Sequence, residues 1–77
     1  MSEVQTVDAP LRTHLMLIQD AGLLKYSSPD RQIISAEVPA DFFDAIRELE
    51  ARTKLSRSAI IKAFLFDGVA RVAAEKN

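Results

Sequence analysis

Few residues in this chain belong to the types that carry out covalent or metal chemistry. Cysteine is absent and His14 is the single histidine, so the sequence offers neither a thiolate nor an imidazole cluster for a metal ion. We expect His14 to have a surface or half-buried role. No carboxylate pair stands in a recognisable cleft for acid–base work. The sequence therefore predicts a protein that is not an enzyme and that uses no cofactor.

Binding chemistry is recognisable at one place, the segment Ser56-Arg57-Ser58. Ser56 is a good N-cap for a helix that begins at about Arg57. The first amides of a helix lack partners within the helix, and the positive end of the helix dipole lies there, so this position attracts anions such as phosphate. The alternative is an ordinary capping motif without a ligand.

Size and composition predict one small domain that depends on a partner. The chain has 77 residues, of which 48% are hydrophobic, with two glycines and three prolines. At this size apolar burial only just offsets the loss of conformational entropy on folding. Because the sequence predicts neither disulfides nor bound metal ions to add stability, we expect the chain to be stabilised by oligomerisation. Neither a secretory leader nor an apolar run of membrane-spanning length is recognisable. We expect a soluble cytoplasmic protein with no membrane partner.

The charge distribution disfavours a protein that binds nucleic acid through a basic tail. The net charge is −1, which argues against non-specific binding to nucleic acid. Residues 1–30 contain two basic and four acidic groups, and residues 31–77 contain eight basic and seven acidic groups. Because neither part is a basic tail, contact with DNA would have to come from a focused site.

Residues 1–30 are predicted to form an N-terminal extension with one short helix. Residues 1–7 are expected to fray. Asp8 as N-cap and Gly22 as a C-terminal stop predict a helix over residues 9–21. Pro29-Asp30 fits the central pair of a type I turn and closes the extension. The apolar face of the helix consists of Leu11, Leu15 and Ile18.

Residues 31–77 are predicted to contain one strand and two helices. β-Branched residues in 31–38 indicate a short strand that Pro39 ends. A helix follows from Pro39-Ala40-Asp41 to about Thr53-Lys54. The last helix is predicted from about Arg57 to Ala74, and it is apolar on two sides, which one neighbouring helix cannot cover. One side carries Ile61, Leu65, Gly68 and Val72, and the other carries Ala59, Ala63, Phe66, Ala70 and Ala73. We expect the helix over residues 9–21 to cover the second side.

Three segments carry a family resemblance by their order and spacing, namely Ile34-Ser35-Ala36-Glu37-Val38-Pro39, Phe42-Phe43-Asp44-Ala45-Ile46-Arg47-Glu48-Leu49 and Leu55-Ser56-Arg57-Ser58-Ala59-Ile60-Ile61. With them, residues 33–69 resemble the ribbon-helix-helix family, which includes repressors of the Arc, MetJ and CopG type. The resemblance implies a homodimer whose two strands pair antiparallel across a two-fold axis. The predicted fold is thus mostly α with one short strand, with the N-terminal helix as an addition to the family core.

The resemblance also implies roles for individual residues. Base contacts in the major groove would come from Ile33, Ser35 and Glu37, with plain solvent exposure as the alternative. Phosphate contacts would come from Ser56, Arg57 and Ser58, with Arg31 and Lys54 beside them. Two positions depart from the family pattern: Lys54 stands where glycine is frequent, and Glu37 places a carboxylate near phosphates. The expected dimer core consists of Ile34, Ala36, Val38, Phe42, Ile46, Leu49, Ile61 and Leu65.

Two functions are compatible with these features. The first is a sequence-specific DNA-binding regulator, such as a repressor or autoregulator of a plasmid or another mobile element. Its partners would be double-stranded DNA and a second copy, with a higher assembly on DNA as a further option. The second is an antitoxin-like or adaptor dimer whose N-terminal helix binds a protein partner.

Overall fold

The computed structural model describes residues 8–75 as three α-helices. Helix α1 spans Ala9–Lys25, α2 spans Ala40–Thr53 and α3 spans Arg57–Glu75. Residues 1–7, for which fraying was predicted, lie outside the described residues. None of the three helices combines the length and apolar character needed to cross a bilayer.

Helix α1 begins at the predicted residue, with Asp8 as its N-cap residue, but it is longer than the sequence predicts. The Asp8 carbonyl accepts a hydrogen bond from the Arg12 amide at 2.9 Å, while the Asp8 side chain makes no cap hydrogen bond. Gly22 does not stop the helix but lies buried within it, against the ring of Phe66 on α3. A Cβ atom at Gly22 would overlap that ring, so this glycine is required for packing between α1 and α3. The helix ends instead at Lys25.

Helices α2 and α3 begin where local signals predicted. Pro39 has a φ of −58° and its carbonyl accepts hydrogen bonds from the amides of Phe42 and Phe43, which starts α2. Ser56 is the N-cap of α3, since its hydroxyl oxygen accepts a hydrogen bond from the amide of Ala59 at 3.1 Å. The two predicted helices are therefore confirmed.

One core joins the three helices. Its buried members are Leu15 of α1, Ile46 of α2, and Ile60 and Ala63 of α3. Helix α1 packs mainly on α3, as expected, with Gly22 against Phe66, but Ala70 and Ala73 of the side it was expected to cover remain exposed. Around this core lie the partly buried side chains of Leu11, Ile18, Leu49 and Leu55. The division at residue 30 stays a prediction, but α1 contributes to the same core as α2 and α3.

The predicted strand is wrong, and with it the predicted ribbon-helix-helix fold. Residues 8–75 contain no strand, and residues 26–39 form an irregular, exposed connection. The chain bends at Pro29, where the Ser28 hydroxyl accepts a hydrogen bond from the Asp30 amide at 3.2 Å. β-Branched residues favour a strand only when a neighbouring strand satisfies their backbone groups, and the described chain provides none. Ile33 and Ile34 consequently remain 94% and 80% exposed.

Candidate nucleic-acid interface

The turn between α2 and α3 is fixed from within by Thr53. This side chain is fully buried, and its hydroxyl donates a hydrogen bond to the Leu49 carbonyl at 2.6 Å. The same oxygen accepts a hydrogen bond from the Leu55 amide at 3.3 Å. Thr53 thereby connects the last turn of α2 to the first residues beyond it. The turn is held in one conformation rather than left free.

Lys54 ends α2 in the left-handed conformation, with a φ of 60°. Glycine is the usual residue here, and a side chain in this conformation costs about 1 kcal/mol. The Lys54 amide donates to the Glu50 carbonyl at 2.9 Å, which closes the end of the helix. The Lys54 side chain is exposed and makes no ion pair with any residue in 8–75. A strained position thus presents an unpaired cation at the turn.

The start of α3 presents backbone donors beside this cation. Among residues 8–75, the amides of Ser56, Arg57 and Ser58 have no hydrogen-bond acceptor, as the first amides of a helix lack partners within it. All three residues are exposed. The Ser56 hydroxyl is occupied by the Ala59 amide, whereas the amides remain available. The predicted phosphate residues of the turn are therefore close together in space.

Arg57 has partners that the sequence reasoning missed. Its Nε donates to Glu50 Oε2 at 2.8 Å, and its guanidinium lies over the ring of Phe43, 4.6 Å from the centroid. These contacts orient the side chain and partly neutralise it. The nitrogens beyond Nε make no hydrogen bond within the described residues. Glu50 belongs to α2 and Arg57 to α3, so the helical periodicity of the sequence does not predict their contact.

The predicted base-contact residues lie apart from the turn. Ile33, Ser35 and Glu37, together with Arg31, are exposed in the connection that precedes α2. None of them makes a side-chain hydrogen bond or ion pair with another described residue. Phe43 lies four residues after Pro39, at the start of α2, and its ring contacts Arg57 at the start of α3. This contact brings the start of α2, where the connection ends, next to the start of α3.

The residues expected in a dimer core fall into two groups. Ile46 is buried and Leu49 half-buried within the subunit's own core. The remaining members are exposed in the single chain, namely Ile34, Ala36, Val38, Phe42, Ile61 and Leu65.

An apolar groove follows the side of α3 that faces away from α1. We call this surface the α3 outer face, and it is lined by Phe64, Leu65, Gly68, Val69, Val72 and Ala73. The sequence reasoning found Leu65, Gly68 and Val72 from their spacing but missed Phe64 and Val69 as members of this surface. No charged side chain lines it.

An ion pair ties the start of α1 to the end of α2. Arg52 donates to the Asp8 carboxylate at 2.5 Å, and the Asp8 amide donates to the Arg52 carbonyl at 2.8 Å. The hydrogen bond from Arg52 is the largest cause that holds the pKa of Asp8 below its usual value. Arg52 is therefore engaged in structure, and Lys54 is the cation of this turn that remains unpaired within the described residues.

Within residues 8–75 no three His, Cys, Asp or Glu side chains are grouped closely enough to hold a metal ion.

No protein-family model, curated protein or solved structure matches this chain. Its function therefore has to be inferred from the geometry of the turn and of the exposed apolar surfaces.

Proposed function

We propose that this chain is a cytoplasmic, sequence-specific DNA-binding regulator that works as a homodimer. The observation that carries the proposal is the α2–α3 turn, where three amides without acceptors in the described chain directly follow Leu55 and Lys54, whose side chain is exposed and makes no ion pair there. A phosphate accepts hydrogen bonds from helix N-terminal amides and is attracted by the adjacent charge. The buried hydroxyl of Thr53 fixes this arrangement before a ligand arrives.

Phosphate contacts position a protein on DNA, and contacts to base edges provide sequence preference. The exposed side chains that precede α2 offer three kinds of base contact. Ile33 can contact the methyl group of thymine, Ser35 can donate or accept a hydrogen bond, and Glu37 can accept one from the amino group of cytosine. This proposal requires no regular secondary structure in residues 26–39.

The large exposed apolar surface supports a second copy, which would also help to account for DNA binding at a net charge of −1. Two subunits double the number of phosphate contacts without a basic tail. Related half-sites in the DNA would then mirror the two-fold symmetry of the protein.

Replacing one lysine tests the phosphate site. Lys54→Gln keeps a long polar side chain but removes the charge, and Lys25→Gln removes an exposed charge at the end of α1, beside Tyr26. One phosphate contact per subunit corresponds to a slope of about 0.9 in log affinity against log salt, or about 1.8 for a dimer. We expect Lys54→Gln to reduce the slope by about this amount and Lys25→Gln to leave it unchanged. Fluorescence anisotropy on one duplex across salt concentrations measures both.

Two further variants test base reading. Ser35→Ala should reduce discrimination between duplexes while non-specific affinity stays the same. Glu37→Ala should relax specificity at one position per half-site if the carboxylate reads cytosine, and should tighten binding to all sequences if it only repels phosphate. If these changes and Lys54→Gln all leave DNA affinity and specificity untouched, the DNA-binding proposal is wrong.

A protein adaptor is the second candidate, favoured by the outer side of α1. Leu17 and Leu24 are 63% and 82% exposed and lie two helical turns apart, whereas the opposite side of α1 packs on α3. Large exposed apolar side chains on one side of a helix are a feature that a partner protein can cover. The adaptor function requires that Leu17→Glu abolish partner binding while the chain stays folded. Loss of DNA affinity in that variant would instead assign this surface to the DNA-bound assembly.

A further inference from the structure

We propose that the α3 outer face is the dimer interface, with the α3 helices of two copies crossing antiparallel at Gly68. This inference rests on the proposed homodimer but not on DNA binding. Helix α1 covers the other side of α3, where Ala63 is buried, and so leaves the α3 outer face open. The groove there is wide and shallow, with a volume of about 600 Å³.

The apolar area of this surface comes close to the apolar area that a dimer interface buries. The five large side chains on this side of α3 are between 41% and 65% exposed. At roughly 180 Å² for a fully exposed large side chain, they present roughly 400–500 Å². A stable interface buries about 800 Å² per partner, of which about 65% is apolar in homodimers. These side chains are Ile61, Phe64, Leu65, Val69 and Val72.

Gly68 lies at the centre of the groove, where no contact within the subunit requires a glycine. A Cβ atom there would meet nothing within 4 Å, in contrast to Gly22, where it would overlap a ring. Glycine inside a helix is destabilising relative to alanine, and no contact within the single subunit compensates for it at Gly68. The missing side chain allows a second helix to approach the backbone closely at this point.

The antiparallel direction follows from size and charge along α3. With Gly68 on the two-fold axis, Phe64 of one copy lies opposite Val72 of the other, so a large side chain meets a smaller one. Lys62 near the start of α3 then lies near Glu75 of the second copy. Both residues are exposed and form no ion pair among residues 8–75. A parallel pair would align lysine with lysine and glutamate with glutamate.

Dimer dissociation constants from sedimentation equilibrium test the interface. Gly68→Leu overfills the crossing point and should raise the dissociation constant by about 5- to 150-fold, since overpacking costs about 1–3 kcal/mol. The matched control, Thr13→Leu, places the same side chain on an exposed position of α1 and should leave it unchanged. Equal dissociation constants for both variants and the parent would overturn the proposal.

A cysteine at the crossing point keeps the test valid if Gly68→Leu fails to fold. The chain has no cysteine, so Gly68→Cys introduces a single thiol per subunit. Two such thiols near a two-fold axis should oxidise to a covalent dimer, whereas Thr13→Cys should not. Equal cross-linking would overturn the crossing at Gly68.

A charge exchange tests the antiparallel direction. Lys62→Glu should weaken the dimer, and the double variant Lys62→Glu with Glu75→Lys should restore it. Failure of the double variant to restore the dimer would overturn the antiparallel direction.

The same variants separate this proposal from the DNA-binding function. A parent chain that binds DNA selectively as a dimer, but whose dimer ignores every change at Gly68, contradicts the interface and leaves the function standing. A parent that forms the Gly68 dimer yet binds no duplex contradicts the function and leaves the interface standing. A parent that stays monomeric at high protein concentration overturns the interface.

Discussion

Replacing Gly22 by alanine tests how tightly α1 packs on α3. A Cβ atom at this position would overlap the Phe66 ring at its Cγ, Cδ2 and Cε2 atoms. A ring inside a packed interface cannot move as cheaply as the end of a flexible side chain, and overpacking typically costs about 1–3 kcal/mol. Alanine in a helix recovers about 1 kcal/mol. We therefore expect Gly22→Ala to lower the free energy of unfolding by up to about 2 kcal/mol.

Thermal unfolding followed by circular dichroism, at one fixed protein concentration, measures this change. For a chain of this size a loss of up to about 2 kcal/mol lowers the Tm by up to roughly 16 °C. Phe66→Leu in the Gly22→Ala background should recover part of the loss, so the two changes should be non-additive. A Gly22→Ala variant more stable than the parent would refute the close packing of α1 on α3.

Three further variants test the turn and the helix ends. Thr53→Val should lower the free energy of unfolding by about 1–3 kcal/mol in urea titrations, because it leaves the Leu55 amide without its acceptor. Lys54→Gly should raise stability by about 1 kcal/mol by relieving the left-handed conformation and at the same time weaken DNA binding; unchanged stability would contradict the assigned strain. Asp8→Asn should remove a stabilisation that depends on pH, because the hydrogen bond from Arg52 lowers the pKa of Asp8 in the folded chain. The parent has this stabilisation in full above about pH 5 and loses it as the pH falls past about 3.9 and through the folded-state pKa. Stability measured from pH 7 to pH 2 should therefore fall less in Asp8→Asn than in the parent, and equal curves would contradict the pairing.

Local sequence signals were sufficient for α2 and α3. Pro39 fixes a φ suited to the start of α2, and Ser56 supplies the cap of α3, so both boundaries depend on neighbours in the chain. The apolar spacing of α3 also placed Ala63 toward α1 correctly. Such features can be read without knowledge of the tertiary structure.

The wrong predictions concern residues whose role is decided by distant contacts. Gly22 was interpreted as a helix stop, but the Phe66 ring explains the glycine, and no spacing in the sequence reveals that contact. Ile33 and Ile34 have strand propensity, yet a strand also needs a partner for its backbone, which residues 8–75 do not supply.

The candidate site was found only in part from the sequence. Ser56 and its neighbours were recognisable as a helix start, and the structure adds that Lys54 is strained and unpaired there among the described residues. The engagement of Arg57 by Glu50 and Phe43 depends on how the two helices meet at the turn, which periodicity does not report.

Selective binding to duplex DNA is the central claim, and one titration tests it most directly. The intact chain is titrated into labelled duplexes that cover its own upstream region and into scrambled duplexes, by fluorescence anisotropy at about 50 and about 200 mM salt. We expect tighter binding to one upstream duplex by at least about 10³-fold, and affinity that falls steeply with salt. Equal affinity for all duplexes, or no binding at the lower salt concentration, would contradict the proposed function.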